Sequence, residues 1–386
     1  MPVLREVGAG IQLPPNATTL LKDWDILQAV QAHASQPNQA IVRSYRDGNV
    51  LSMQDFGPVV EGKYGSPYLL IHRADLHKIL LEKAESLGVE IKLSCDISQD
   101  DLDVSKPALC LGKAEIHEGD LILGADGERS ICREKLLGTL DPLRSTGDLI
   151  FRFTVKMDDL KVDADLKGPG DLRNINYWMG PDSHAVSYVM EKSQLLNVIL
   201  TALQDAGDIT QYGVQKADPI ELKSKFKGWD PRLERLLSLA GECSKWSLLQ
   251  SNRNQTWVHP DGAFMLIGDA AHAMPPYLAQ GAAQAFEDAA VLGSLFSHVK
   301  DREQVPGLLT KFQQIRMSRS MKVLRRSAAM REVFGMPDGI AQQERDAQIA
   351  MDPHEGCPIA LADPVFQKWL WGYNAIEDAN GSRGKE

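Results

Sequence analysis

Apolar and polar positions change period several times along the first ninety residues. Leu20, Leu21, Trp24, Leu27 and Val30 recur at helical spacing, and Asn16 stands ahead of them as an N-cap. From Ala40 to Phe56 the pattern shortens. An apolar-rich IVRSY, then Asp47-Gly48-Asn49, then VLSM predicts a β-hairpin. Tyr64 to Pro67 reads as a loop. His72-Arg73-Ala74-Asp75-Leu76 opens a helix that runs to Leu87, with Gly88 as its stop. Val89 to Leu93, Ala114 to His117 and Asp120 to Gly124 predict strands. The last of these ends at Asp126-Gly127, ahead of a helix near Arg129.

These βα units put polar residues at the carboxyl ends of strands, the edge where ligands bind in open α/β sheets. After Leu143 the texture turns β-rich, with strands expected at Leu149 to Met157, Asn174 to Met179, Ala185 to Glu191 and Leu196 to Leu200. Phe264 to Asp269 returns to a buried parallel strand, and a long helical C-terminus follows. The expected class is α/β: an incomplete Rossmann-like domain split by a mainly antiparallel β-sheet domain, with C-terminal helices. The expected divisions are 1–145, 146–258, 259–310 and 311–386.

The opening MPVLREVGAGIQLPPN contains Gly8-Ala9-Gly10. A dinucleotide loop needs G-x-G-x-x-G between a strand and a helix. Here Leu13 holds the third glycine position, and Leu13-Pro14-Pro15 prevents a helix from starting at Gly10. The glycines therefore read as a turn between two elements, with Gly10 still a candidate to pass near a cofactor.

Composition changes this picture little. The 386 residues are 43% hydrophobic and 24% charged, as in ordinary globular proteins. A net charge of -10 argues against nucleic acid as a partner. The densest basic run holds Arg316, Arg319, Lys322, Arg325, Arg326 and Arg331 at helical spacing, and reads as a solvated or salt-bridged face. Five cysteines without a C-x-x-C pair imply reduced thiols, with neither a disulfide frame nor a metal site. No apolar run is long enough for a membrane span and no signal pattern is evident, so a cytoplasmic enzyme is expected.

The most informative stretch is FMLIGDAAHAMPPYLAQGAAQAFEDAAVLGSLF, Phe264 to Phe296. An apolar strand delivers Asp269, which can accept hydrogen bonds from a sugar-like hydroxyl. Pro275-Pro276 forces an extended turn. Gly281-Ala282-Ala283 then starts a small-residue helix whose free N–H groups favour negative charge.

Within it, GDAAHAMPPYLAQGAAQAFEDAAVL resembles the second FAD-binding motif of the flavoprotein aromatic-ring hydroxylases, the group typified by salicylate hydroxylase. DLILGADGERSICREKL resembles the Asp-Gly motif of that family, YLLIHRADLHKIL its flavin-contacting arginine segment, and LREVGAGIQLPPN the stretch after its second strand. The resemblance implies FAD as cofactor, NADH or NADPH as co-substrate, and O2 activated as a flavin hydroperoxide that hydroxylates a small aromatic substrate. It assigns Gly10, Arg73, Asp126, Asp269, Gly281 and Ala282 to the cofactor. Arg152 and Tyr188 match family positions on the substrate side, although Val189 stands where members commonly carry proline. His184 lies four residues before Tyr188, on the same face of a strand, and the pair could orient a phenol and take its proton. His272 reads as structural, and Trp178, Trp246 and Trp257 as core or pocket wall.

Two other readings stand beside this one. One is an oxygenase of the same fold acting on a polyketide-like or terpenoid metabolite. The other, of a different class, is a truncated, flavin-deficient homologue without catalysis. It is suggested because no complete Gly-rich loop precedes Gly8.

Overall fold

A computed structural model describes residues 10–111, 115–139, 144–161, 166, 173–205, 213–250 and 256–381. Gly8 and Ala114 lie outside them. The architecture is mixed α/β, built around a large sheet of eight described strands. In spatial order these are Gln215–Ala217, Cys243–Gln250, Arg144–Lys156, Leu195–Leu203, Ser183–Met190, Ile175–Gly180, Gln39–Ser44 and Val50–Asp55. Neighbours are antiparallel except Ile175–Gly180 beside Gln39–Ser44. The expected hairpin forms, and it joins this sheet. The sheet therefore takes two strands from well before residue 146.

Alternation along the strands sorts side chains between two cores. Leu149, Phe151 and Phe153 fall on one face with Ala185, Val189, Leu196, Val198 and Leu200, covered by helices Pro219–Lys225 and Pro231–Ser238. Ile150, Val186, Tyr188 and Met190 fall on the other, with Ala40 and Val42. That face is covered by the helix Val305–Phe334 and by the chain around Ile359 and Trp371. Burying both faces is why these strands read as near-continuous apolar runs.

A second body holds the short parallel pair Ile122–Gly124 and Phe264–Leu266. The helix Gly281–Phe296 packs with it. Gly10–Leu13 pairs antiparallel with Leu69–His72, so Gly10 begins a strand rather than lying in a turn.

Two other expectations fail. Asn16 is not a cap: with Pro15 in the first turn the helix Pro15–Asp23 starts earlier, Pro14 takes the cap position, and Asn16 is buried. Val89 to Leu93 forms no strand, and Val89, Ile91 and Leu93 are exposed. An apolar run makes a strand only when a neighbour satisfies its backbone, and no described strand pairs with it. All five cysteines are free thiols. No helix among the described residues is long and apolar enough to cross a membrane.

Candidate active site

The parallel pair sets Gly124 opposite Leu266, so the Asp-Gly segment and the Gly268-Asp269 segment leave the sheet side by side. Asp126 does local work. Its carboxylate accepts from Ser130 Oγ at 2.6 Å and from the Cys132 amide at 3.1 Å, holding the start of helix Ile131–Leu137. Arg133, buried on that helix, donates to the carbonyls of Ala270 (2.9 Å) and Glu128 (2.7 Å), stapling the two motifs together. Asp269 itself is exposed at the strand end.

Gly268 is a position where glycine is required. Its φ is +60°, its amide donates to Asp288 Oδ2 at 2.9 Å, and an added Cβ would lie 3.5 Å from Ala285. After the diproline the chain makes one 3₁₀ turn, Pro276–Leu278, and enters the helix Gly281–Phe296. A Cβ on Gly281 would meet nothing within 4 Å. The helix N-terminus, with Ala282 beside it, thus opens onto free space, and its amides are available to an anion.

Behind this opening lies a buried ionic network. Glu287 and Asp288 are fully buried, as is Arg316, and Arg319 is nearly so. Arg316 donates to Glu287 Oε2 at 2.6 Å, to Asp288 Oδ1 at 2.8 Å and to Gln284 Oε1 at 2.8 Å. Arg319 meets both oxygens of Glu287, at 2.7 and 2.8 Å. Asn16 donates to Glu287 (2.7 Å) and to Gln280 (3.0 Å). His272 Nε2 lies 2.7 Å from Asp288 Oδ2, which agrees with a structural role. Burial opposes the charge on Asp288, but His272 and Arg316 outweigh it and hold the carboxyl at about 2. Glu287 is likewise held low, by Arg319 and then Arg316 against burial. Half of the basic run is accounted for here and at Asp148: Arg316, Arg319 and Arg331 are salt-bridged.

The sheet face that carries His184, Tyr188 and Arg152 meets the loop after the diproline. Tyr277 and Leu278 from that loop line a narrow apolar pocket of about 20 Å³ with Ala40, Val42, Tyr177 and Phe334. A polar cleft of about 280 Å³ adjoins it, lined by Asp148, Asp182, His184, Thr201, Arg331 and Glu332. Tyr277 lines both and donates its hydroxyl to Asp148, which Arg331 also grips at 2.7 Å.

His184 packs against Tyr277 and Phe334, each ring centre 5.2 Å away, with Thr201 Oγ1 at 3.4 Å from its Nε2. Burial alone pushes it down to about 3, so it is neutral near pH 7. Tyr188 is 1% exposed and lies over Gly10, where a Cβ would sit 2.4 Å from the phenol ring. Gly10 is therefore glycine because Tyr188 occupies its side-chain space. Burial raises the Tyr188 phenol above its ordinary value. Asn197 stands across from it in the register, and neither polar atom of its buried amide is in hydrogen-bond geometry. His184 and Tyr188 share a face, as expected, but four strand positions separate them by about 13 Å.

Arg152 lies on the same face, over the Trp246 ring at 5.3 Å. Burial lowers its pKa, Tyr188 opposes that, and the like charge of Arg73 adds to it. Arg73, beside His72 at the start of helix Arg73–Ser86, is exposed. His72 pairs with Gly10, which lies under Tyr188, while Arg152 stands level with Val186 in the register, midway between His184 and Tyr188.

Sequence reasoning did not single out Arg133, Asp148, Tyr277 or Glu287. Arg133, Tyr277 and Glu287 lie inside the quoted motifs, but their partners are distant in sequence. A mid-motif acidic pair with a basic run downstream was the signal available for Glu287.

These features fit a large anionic cofactor. The helix N-terminus opens on free space, and Gln280 at its cap has a buried amide nitrogen without a partner among the described residues. Residues 15–327 match the family model described as "FAD binding domain". The chain is 36% identical to "FAD-dependent monooxygenase OpS4" of Beauveria bassiana (strain ARSEF 2860), covering 99% of this chain and 90% of that protein. It is 32% identical to "3-amino-4-hydroxybenzoate 2-monooxygenase PtnB3" of Streptomyces platensis, over 97% and 88%. Among solved structures, a salicylate hydroxylase substrate complex superposes with a TM-score of 0.78 at 22% identity, over 96% of this chain and 90% of that one, which supports the fold. The chain belongs to the FAD-binding-domain family and is an FAD-dependent monooxygenase.

Proposed function

We propose that this enzyme hydroxylates a small phenolic, salicylate-like aromatic, using NADH or NADPH and O2. One oxygen atom enters the ring and the other leaves as water, with NAD(P)H and a proton supplying the two electrons and two protons. FAD, when bound, carries the electrons between nicotinamide and oxygen. The observation that carries the reading is that Tyr277 and Leu278, within the cofactor motif, wall the same pocket as the central sheet.

The residues divide the work. Arg73 and the N-terminus at Gly281-Ala282 hold and polarise the cofactor, and Asp269 and Gly10 lie along its path. Asp126 acts through the helix start that it fixes. Pro275, Pro276 and the apolar wall exclude water. His184, neutral and beside Thr201, is placed to hydrogen-bond a phenolic hydroxyl at the edge of the polar cleft, while Tyr188 bounds the far end of the ring. The apolar lining of the pocket also supports a second reading, a larger polyketide-like or terpenoid substrate.

The test is direct. The purified protein should show flavin absorbance near one per chain, and NAD(P)H oxidation and O2 uptake should rise with a phenolic aromatic. A protein that stays colourless after FAD addition would overturn the reading in favour of a flavin-deficient homologue. Stimulation by terpenoids alone would favour the second reading.

A further inference from the structure

The narrow apolar pocket and the polar cleft meet at one side chain. Among the described residues, Tyr277 is common to both linings. The sizes of the two cavities make this contact matter. The apolar pocket has about 20 Å³, room for little more than one water, whereas roughly 150 Å³ holds a benzene ring. The cleft has about 280 Å³ and opens to solvent past the exposed Asp182 and Glu332. An aromatic ring therefore enters the pocket only when a wall moves, and the wall that faces the larger space is the ring of Tyr277.

Most other walls are held along their backbone. Ala40, Val42 and Tyr177 lie in adjacent strands of the large sheet, and Phe334 ends the helix Val305–Phe334. Pro275-Pro276 stiffens the loop, and the Pro275 carbonyl accepts from the buried Ser327 of that helix at 2.6 Å. The part left to turn is the Tyr277 side chain. Its ring stands edge-on to His184, with centres 5.2 Å apart. Its hydroxyl donates to Asp148 Oδ2, and Arg331 holds the other oxygen of that carboxylate at 2.7 Å. Arg331 follows Ser327 by one helical turn, so one face of the helix fixes both the loop backbone and the acceptor of the ring. The division of the two oxygens bears on opening. When the hydroxyl leaves, Asp148 keeps Arg331 and is not stranded as an unpaired buried charge.

On the reading above, we infer that Tyr277 is the gate of the substrate pocket, and that Asp148 and Arg331 are positioning residues that latch it shut. The substrate ring passes through the cleft, past His184, while Tyr277 swings off Asp148 and joins the two cavities. Reclosure returns the phenol between the reacting end of the substrate and the solvent-open cleft. Coupled turnover places one oxygen atom of O2 in the ring and releases the other as water. When water reaches the site, NAD(P)H and a proton still give two electrons and two protons to O2, and both oxygen atoms leave together as hydrogen peroxide. The latch favours the first outcome. A phenylalanine would fill the same wall without an acceptor, so the hydroxyl is there to hold the ring closed.

The test compares wild type with Tyr277→Phe, Asp148→Asn and the double variant, each carrying FAD. Binding of phenolic aromatics, salicylate first, is followed by stopped-flow flavin absorbance, and hydrogen peroxide is measured against NAD(P)H consumed. Tyr277→Phe should speed both association and dissociation about 10- to 100-fold, the range for releasing a hydrogen bond to a charged acceptor. The dissociation constant should move less than either rate, because the latch is closed in the free and the bound protein alike. The hydrogen peroxide share should rise severalfold with FAD occupancy unchanged. Asp148→Asn should fall between wild type and Tyr277→Phe, and the double variant should match Tyr277→Phe, since both changes act on one bond. Unchanged rates and peroxide share in Tyr277→Phe would overturn the inference and leave Tyr277 a packing residue. Acceleration confined to Ile359→Ala would also overturn it, by assigning entry to the wall that Ile359 forms. Failure of the FAD-loaded wild type to bind any phenolic aromatic would sink the hydroxylase reading, and the gate with it.

Discussion

Arg316 is the residue whose removal should reveal how the cofactor helix is held. It is fully buried and bridges Glu287 at 2.6 Å and Asp288 at 2.8 Å, on the helix whose N-terminus opens onto the site. Arg316→Met keeps the volume and removes the charge. Glu287 then retains Arg319 and Asn16, and Asp288 retains His272 and the Gly268 amide. Each carboxylate therefore still has a partner, but the cluster loses one of its two guanidinium charges. Breaking one side of a buried pair costs about 3–5 kcal/mol. Domains of ordinary stability have about 5–15 kcal/mol in total, so the variant should fold yet be markedly weakened. The check is urea unfolding followed by far-UV circular dichroism, with flavin release recorded in parallel. Flavin should leave at lower urea than the helix signal is lost, because Gln280 and Gln284 at the helix start lean on this network. Adding Asp288→Asn should recover part of the loss by removing a buried carboxylate that has lost its guanidinium partner. A destabilisation below about 1 kcal/mol, or no recovery in the double variant, would refute the account.

Three further outcomes are expected. Gly281→Ala adds a Cβ to open space, so unfolding should be unchanged while FAD affinity falls at least about tenfold by steric loss of close approach; unchanged FAD affinity would remove the helix N-terminus from the cofactor site. Gly10→Ala drives a Cβ into Tyr188 at 2.4 Å and should cost about 1–3 kcal/mol in chemical unfolding, with a neutral result showing that the ring moves freely. His184 is held down at about 3 by burial, so the unfolded chain binds more protons between about pH 6.5 and 3; stability should fall as pH drops through that window, by up to about 1.4 kcal/mol per unit, and His184→Gln should flatten the slope.

Much of the fold was legible because it depends on local period. The hairpin, the helix after His72, the four central strands and the strand ending at Gly268-Asp269 all follow from alternation and punctuation. Asn16 shows where such reading stops. A polar residue ahead of an apolar helix looks like a cap, and only the fold reveals partners 264 and 271 residues away. Val89 to Leu93 has the opposite fault. Its composition suits a strand, but a strand is a property of two segments, and no described neighbour supplies the ladder.

The site was half legible for the same reason. Motif residues could be named, because close approach of backbone to a cofactor demands glycine and alanine in sequence order. The division of charge along the sheet face could not be. Asp148 and Arg152 are neighbours on one strand, four positions apart, with opposite signs. Each takes meaning from what other segments bring: Arg331 and Tyr277 to the first, Arg73 and Trp246 to the second. One acid ends up doubly answered and one cation unanswered. That inequality is set by long-range packing, and it gives the site a direction. The cleft at His184 gathers Asp148, Asp182 and Glu332 with an arginine committed to Asp148, whereas Arg152 and Arg73 form no ion pair among the described residues.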